Sequence, residues 1–196
     1  LLALSLGIMI WQTNLLSTLL VLAGWFIYVV PYTYWLKRRS PWCTLAGGFS
    51  GAMPTLIGWT AVTGQVAVVP LLFYALMTIW QTPHFFALSL FREEDYRKAG
   101  LAVVVVRHGK AVTLLRILLH VPLLVICSLL IYFAGVDSIL FLTVALIVGG
   151  LFTAGSIKAY IDGVEEAPKW GKRLFPFSYA YLFLIYIAAA FHGPVV

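Results

Sequence analysis

Charge is what this sequence has least of: 10% of its 196 residues are Asp, Glu, Lys or Arg, against 62% hydrophobic residues and a mean hydropathy of +0.99. Soluble domains carry nearer a quarter charged residues, so a water-solvated globule is excluded and the bilayer becomes the main solvent. The length is then better counted in crossings of about 20 residues each, which allows roughly seven. Cysteine is almost as scarce. Cys43 and Cys127 lie in apolar surroundings, without Cys-x-x-Cys spacing or a nearby His, which excludes a disulfide framework and a zinc site and leaves both as packing residues. A basic n-region and a small-residue cleavage site are also missing from the start, so the first apolar stretch is not a signal peptide. That stretch runs from Leu1 to Ile10 and meets the polar Gln12-Thr13-Asn14 after about 15 Å of helix, half a crossing. With Leu rather than Met at position 1, the chain is expected to begin inside a helix whose upstream part is missing.

Long apolar runs then cover residues 15–35, 42–62, 66–91, 111–134, 138–160 and 174–191. Unpaired backbone groups are costly in hydrocarbon, so these runs are expected to be helices. The predicted fold is all-α: one multi-pass transmembrane bundle over 1–196, with six full helices and a half-helix. The connections alternate in character. Segments 12–14, 63–65, 135–137 and 192–196 hold no Lys or Arg, whereas 37–41, 92–116 and 158–173 hold all thirteen. Cytoplasmic loops carry the excess of Lys and Arg, so the three basic loops are expected to face the cytoplasm. Six of the seven acidic residues share those loops, which gathers the polar chemistry at one membrane face. The net charge of +6 does not point to nucleic acid, because the basic residues lie close to membrane ends and no nucleic-acid module accompanies them. Gly47 and Gly51 form a Gly-x-x-x-Gly, which suits close helix packing.

The most informative stretch is Trp80-Gln81-Thr82-Pro83-His84-Phe85-Phe86, followed by Phe91-Arg92-Glu93-Glu94-Asp95-Tyr96-Arg97-Lys98-Ala99-Gly100. Pro83 removes a backbone donor and presses on the carbonyl of Ile79, so a kink is expected. Gln81, His84, Leu88, Arg92 and Asp95 follow at steps of three or four, the spacing of one helix face. If the helix runs through residue 95, the stripe descends from the membrane interior to a carboxylate at the cytoplasmic mouth, where Asp95 is expected to face an enclosed hollow. An ionisable residue on a membrane segment is costly and is a functional candidate by default, which singles out His84. A hydrogen-bonded core histidine is the structural alternative. His108, His120 and His192 receive no role. Lys37-Arg38-Arg39 ends the first full helix, where cations suit the helix terminus and the interface; the same groups suit an anionic ligand.

In order, Tyr34-Trp35-Leu36-Lys37-Arg38, Gly47-Gly48-Phe49-Ser50-Gly51-Ala52-Met53-Pro54, Ile57-Gly58-Trp59, Ala61-Val62-Thr63-Gly64, Trp80 to Phe85, Asp95 to Gly100 and Trp170-Gly171-Lys172-Arg173-Leu174-Phe175 resemble the heme O synthase family over nearly the whole chain. The resemblance implies the intramembrane aromatic prenyltransferase superfamily: nine helices around a central cavity, aspartate-rich motifs on cytoplasmic loops, and Mg²⁺ holding a prenyl diphosphate. It implies transfer of farnesyl from farnesyl diphosphate to a vinyl group of protoheme IX, in a bacterial inner membrane or a mitochondrial one, alongside other heme-pathway membrane proteins. The first two helices and an Asn-x-x-x-Asp-x-x-x-Asp motif would precede residue 1, so this chain alone is expected to be inactive.

Carried onto this sequence, the resemblance makes Asp95, His84 and Tyr96 the catalytic candidates, with Asp95 also a metal ligand. Lys37, Arg38 and Arg92 become diphosphate partners, and His84, Trp80, Trp59 and Phe85 walls of a heme and prenyl cavity. His84 would ligate heme iron or orient the porphyrin. This chain departs from the family where Phe91 stands four residues before Asp95, Ala102-Val103-Val104-Val105 follows Leu101, Cys43 replaces an asparagine and Thr55 a proline. The rival readings are a quinone- or chlorophyll-pathway prenyltransferase and a transporter or non-catalytic membrane subunit.

Overall fold

A computed structural model describes residues 2–191; His192 therefore lies outside the described residues. Among the described residues the helical segments are α1 (Leu2–Gln12), α2 (Leu15–Ile27), α3 (Cys43–Thr63), α4 (Val68–Phe91), α5 (Glu93–Lys98), α6 (Val104–Phe133) and α7 (Ile139–Ala190), the last two each being a pair of helices joined at a kink, with a π-helical stretch, Tyr28–Leu36, continuing α2. No strand occurs among the described residues. In hydrocarbon a helix satisfies its own backbone, which is why so apolar a chain folds this way.

The half-helix ends where its polar triplet stands. Asn14 caps α2 by accepting from the Ser17 amide at 2.9 Å, and its own amide donates to the Thr60 carbonyl at 2.7 Å. That ties the turn between α1 and α2 to the far end of α3. Four helical segments are long and apolar enough to cross a membrane: Leu15–Leu36, Val68–Phe91, Val104–Phe133 and Ile139–Ala190. The 21-residue α3 is long enough as well, but its Gly, Ser and Thr content keeps it less apolar. The runs 138–160 and 174–191 lie on two separate helices, as expected: they are the two arms of α7, on either side of a kink at Gly163 (φ +78°), a backbone conformation open to glycine. The extent of the basic connections is corrected. The basic segment 158–173 is thus largely helical rather than loop, supported by charge pairs Lys158–Asp162 and Lys169–Glu166 one turn apart. Likewise 92–116 holds α5 and the start of α6, which breaks at Gly109 (φ +79°).

Side-chain contacts show that neighbouring helices run antiparallel. Ser17 meets Thr60 and Ser50 meets Gly24 between α2 and α3; Phe49 meets Tyr74 and Gly48 meets Gln81 between α3 and α4. Cys127 reaches Leu72 while Phe86 meets His120 between α4 and α6. The two arms of α7 fold back on each other, with Phe152 on Phe177 and Tyr181. All three basic segments therefore gather at one end of the bundle. The Ala102 amide donates to the Lys37 carbonyl at 3.4 Å, Lys110 lies 3.6 Å from Glu93, and Gly171 packs against Ala87 and Leu90.

The core lies between α4, α6 and α7, around fully buried Leu76, Leu90, Ile117, Leu124, Phe141, Phe152, Tyr181 and Ile185. Its tightest approach is at Gly171, where a Cβ would come within 2.6 Å of the Ala87 carbonyl oxygen and 2.9 Å of the Leu90 Cβ. Backbone and branch-point atoms cannot swing aside, so Gly171→Ala is expected to lower the thermal midpoint of the purified protein in detergent, at a cost of about 1–3 kcal/mol. Gly150, whose added Cβ would meet nothing within 4 Å, is the control. Equal midpoints for Gly171→Ala and Gly150→Ala would contradict this packing.

Candidate functional site

A cavity of about 360 Å³ opens at the basic end of the bundle, inside the range of small-molecule sites. The π-helical stretch contributes Tyr28 and Tyr32, and Lys37 follows it. Helix α3 contributes Cys43, Thr44, Gly47, Ser50 and Gly51, and α4 contributes Gln81, Phe85, Phe86 and Ser89. Tyr96 of α5 with Leu101 and Val103 completes the wall. The lining thus mixes polar side chains (Lys37, Thr44, Ser50, Gln81 and Ser89) with aromatic and small ones.

The glycines of α3 make this space. A side chain at Gly47 would meet the Tyr32 ring at 3.2 Å, and one at Gly51 would collide with the Gln81 carboxamide. Gln81 is buried and donates through Nε2 to the Gly48 carbonyl at 3.1 Å, which seats the carboxamide between α3 and α4. The Gly-x-x-x-Gly spacing therefore serves packing and the cavity together.

The expected site residues divide. Lys37, Phe85 and Tyr96 line the cavity; Asp95, Arg92, Arg38, His84, Trp80 and Trp59 do not. The placement expected for Asp95 is corrected. Helix α4 stops at Phe91 and Arg92 leaves helical geometry (φ −114°, ψ 19°), so the stripe from Gln81 does not continue to Asp95. Asp95 turns outward with 63% of its side chain exposed and pairs with Arg92 at 3.1 Å. Its neighbour Tyr96 faces the cavity instead. Burial raises the Tyr96 phenol above its usual range, with Cys43 and Asp95 acting the same way and Arg92 opposing. Tyr96 is therefore a neutral hydroxyl at physiological pH, able to donate a hydrogen bond.

His84 faces α7. It lies between the rings of Trp80 and Phe175, at centroid distances of 4.6 and 4.5 Å, and its Nδ1 meets the Ser178 hydroxyl at 2.7 Å. Trp80 donates to the Ser178 carbonyl at 2.7 Å. The pair ties α4 to the second arm of α7, and α4 passes through Pro83 without interruption. Trp59 is apart from both groups, and its buried indole N–H has no hydrogen-bond partner among the described residues.

Sequence reasoning missed Tyr28, Tyr32, Thr44, Ser50 and Ser89 as cavity residues and placed Cys43 only as packing. The four-residue step from Tyr28 to Tyr32, five before Lys37, was an available signal. Among the described residues no group of three or more His, Cys, Asp or Glu side chains could hold a metal ion. The carboxylates of α5 are paired instead: Glu93 with Arg97 and Lys110, Glu94 with Lys98, Asp95 with Arg92. These residues do not form a metal site by themselves.

The site thus places one cation, Lys37, and the phenols of Tyr28, Tyr32 and Tyr96 on the wall of a cavity in an apolar helical bundle. Residues 1–178 match the UbiA prenyltransferase family, and the chain belongs to it. It is 36% identical over 181 residues to protoheme IX farnesyltransferase 1 of Bacillus subtilis (strain 168), covering 91% of this chain and 56% of that protein. It is 39% identical over 176 residues to the protoheme IX farnesyltransferase of Ruegeria pomeroyi, covering 88% and 55%. With that of Roseiflexus castenholzii the identity is 41% over 175 residues, covering 89% and 32%. The chain spans little more than half the length of the first two relatives. No solved structure matches it.

Adding a methyl at Gly51 is expected to push the Gln81 carboxamide into the cavity. Gly51→Ala should reduce the space open to a ligand in the cavity, and adding Gln81→Ala should restore it, as measured by equilibrium binding of a fluorescent apolar probe. A Gly51→Ala protein that binds as well as the parent would show that the Gln81 seat does not shape the cavity.

Proposed function

We propose that the protein carrying this chain transfers a farnesyl group from farnesyl diphosphate to a vinyl group of protoheme IX, giving heme O. The observation that carries the proposal is the cavity itself, with Lys37 and Tyr96 at its mouth and an aromatic wall behind, in a chain similar along about nine-tenths of its length to protoheme IX farnesyltransferases.

The allylic C–O bond breaks heterolytically, leaving diphosphate and a farnesyl cation. The terminal vinyl carbon attacks that cation to form the new C–C bond, and the cation left on the adjacent carbon takes up water and loses a proton, giving a hydroxyethylfarnesyl chain. The ammonium of Lys37 and the hydroxyl of Tyr96 stand where negative charge grows on the departing oxygens, and fixed donors there stabilise ionisation. The walls formed by Phe85, Phe86, Leu101 and Val103 keep water from the allylic cation before the vinyl carbon reaches it.

Magnesium, when bound with the diphosphate, supplies charge neutralisation, commonly with one or two protein carboxylates and several waters. Asp95 is the carboxylate we assign to it, and that role requires its release from Arg92 and ligands from beyond the described arrangement. Arg38 and Arg92 are assigned to the rim of the diphosphate site. We assign His84, with Trp80, to holding the wall behind Phe85. Trp59 belongs to the heme-facing side of this proposal. A bacterial inner membrane, with the basic end of the bundle at the cytoplasm, suits the charge distribution.

Hemes extracted from cells expressing the complete gene, of which this chain is a part, should contain heme O, and Lys37→Ala should reduce it severely. Unchanged protoheme with no heme O would overturn the substrate assignment. Farnesyl diphosphate binding should require magnesium, and that magnesium-dependent binding should be lost in Asp95→Ala. Binding that EDTA leaves intact would remove Asp95 from the site.

A further inference from the structure

The stretch between α2 and the first basic loop is the least ordinary backbone in the molecule. Residues Tyr28–Leu36 form a π-helix, whose characteristic bond spans five residues; the Lys37 amide donates to the Tyr32 carbonyl at 2.9 Å, and the Thr33 hydroxyl to the Tyr28 carbonyl at 2.8 Å. Such turns are rare and concentrate at functional sites. A local cause is in the sequence. Pro31 has no amide hydrogen, and its ring presses on the carbonyl four residues back, that of Ile27. Ile27 is where regular α-helix ends and the wider spacing begins.

The wider spacing changes which side chains share a face. In an α-helix, at about 100° per residue, Lys37 would stand about 140° round from Tyr32 and point away from it. Here Tyr32 and Lys37, both half-buried, line the cavity together with the more exposed Tyr28, while Tyr34, Trp35 and Arg38 are exposed away from it. The Tyr28 and Tyr32 rings lie 5.3 Å apart, and the Lys37 ammonium sits 5.6 Å from the centre of the Tyr32 ring. Gly47 leaves room for that ring, and the Ala102 amide holds the Lys37 backbone from the other side.

We propose that Tyr32 is a substrate-positioning residue, and that the π-helical register started by Pro31 serves to hold the Lys37 ammonium over its ring at the cavity mouth. The ammonium then meets an anionic headgroup, and the Tyr28 and Tyr32 ring faces meet the first carbons of an apolar tail. The ligand identity rests on the proposed prenyl transfer; the register does not.

Two measurements separate these. In the first, the Michaelis constant for farnesyl diphosphate should rise roughly threefold to tenfold in Tyr32→Leu, the size of a cation–π contact, with kcat held within about twofold. Tyr32→Phe, which keeps the ring, should recover most of that loss. A loss as large in Tyr32→Phe as in Tyr32→Leu, or one confined to kcat, would overturn the role of the ring. In the second, inorganic pyrophosphate binding to the protein with Lys37 in place is measured by titration calorimetry. Pro31→Ala, which permits the α register and rotates Lys37 away, should weaken that binding about as much as Lys37→Ala does. Pyrophosphate binding unchanged by Pro31→Ala would overturn the register argument. A protein that shows this pattern with pyrophosphate but does not bind farnesyl diphosphate supports the register and refutes the prenyl substrate.

Discussion

The constraint on which this structure depends is that a membrane interior offers no water to a polar group. A polar group on a crossing helix is costly unless it finds a partner within the protein or faces a cavity that holds one. Helix α4 carries the greatest such burden. Thr78, Gln81, Thr82, His84 and Ser89 are all buried along it, and its neighbours are built to receive them. Gly48 of α3 accepts from Gln81, Ser178 of α7 meets His84, and Thr78 and Ser89 turn back onto carbonyls of their own helix.

Partners can approach so closely because glycine faces α4 from both sides. Gly48 and Gly51 on α3 and Gly171 on α7 bring backbone or carboxamide within reach where a methyl group would intervene. Small residues act in this way between membrane helices, where the solvent supplies no hydrophobic drive and packing must do more. The cavity is then the place where α3 stands back from α4 rather than against it. Its floor is the Gln81 and Phe85 face, and its mouth is closed by the stretch from Tyr28 to Lys37 and by α5. Site and scaffold thus share residues: the carboxamide that joins α3 to α4 also forms cavity wall.

Much of this was legible in the amino acids alone. Crossing helices, the polar break at Gln12-Thr13-Asn14 and the importance of the Trp80 to Phe85 segment follow from hydropathy, and the antiparallel helices bring the basic segments to one end as their alternation implies. The family is equally legible, since its motifs recur in order. The side-chain directions were not. Asp95 was placed on the Gln81 and His84 stripe by extending one helical period through residue 95, but Arg92 leaves helical geometry and turns the carboxylate outward. Gln81 and His84, three residues apart, were read as one face; they point to α3 and α7, because about 60° of separation on a helix is enough to reach different neighbours.

By itself the sequence determined what each segment is, because the free energy of an apolar helix in hydrocarbon depends on composition and local hydrogen bonding. It also determined which end of the bundle is charged, because charge is excluded from the membrane wherever it lies along the chain. Only the tertiary structure decided which polar side chains meet. That depends on angles of rotation about each helix axis, set by contacts between distant residues: Gly51 admitting Gln81, Phe175 covering His84, and a widened turn after Ile27 bringing Lys37 round to Tyr32.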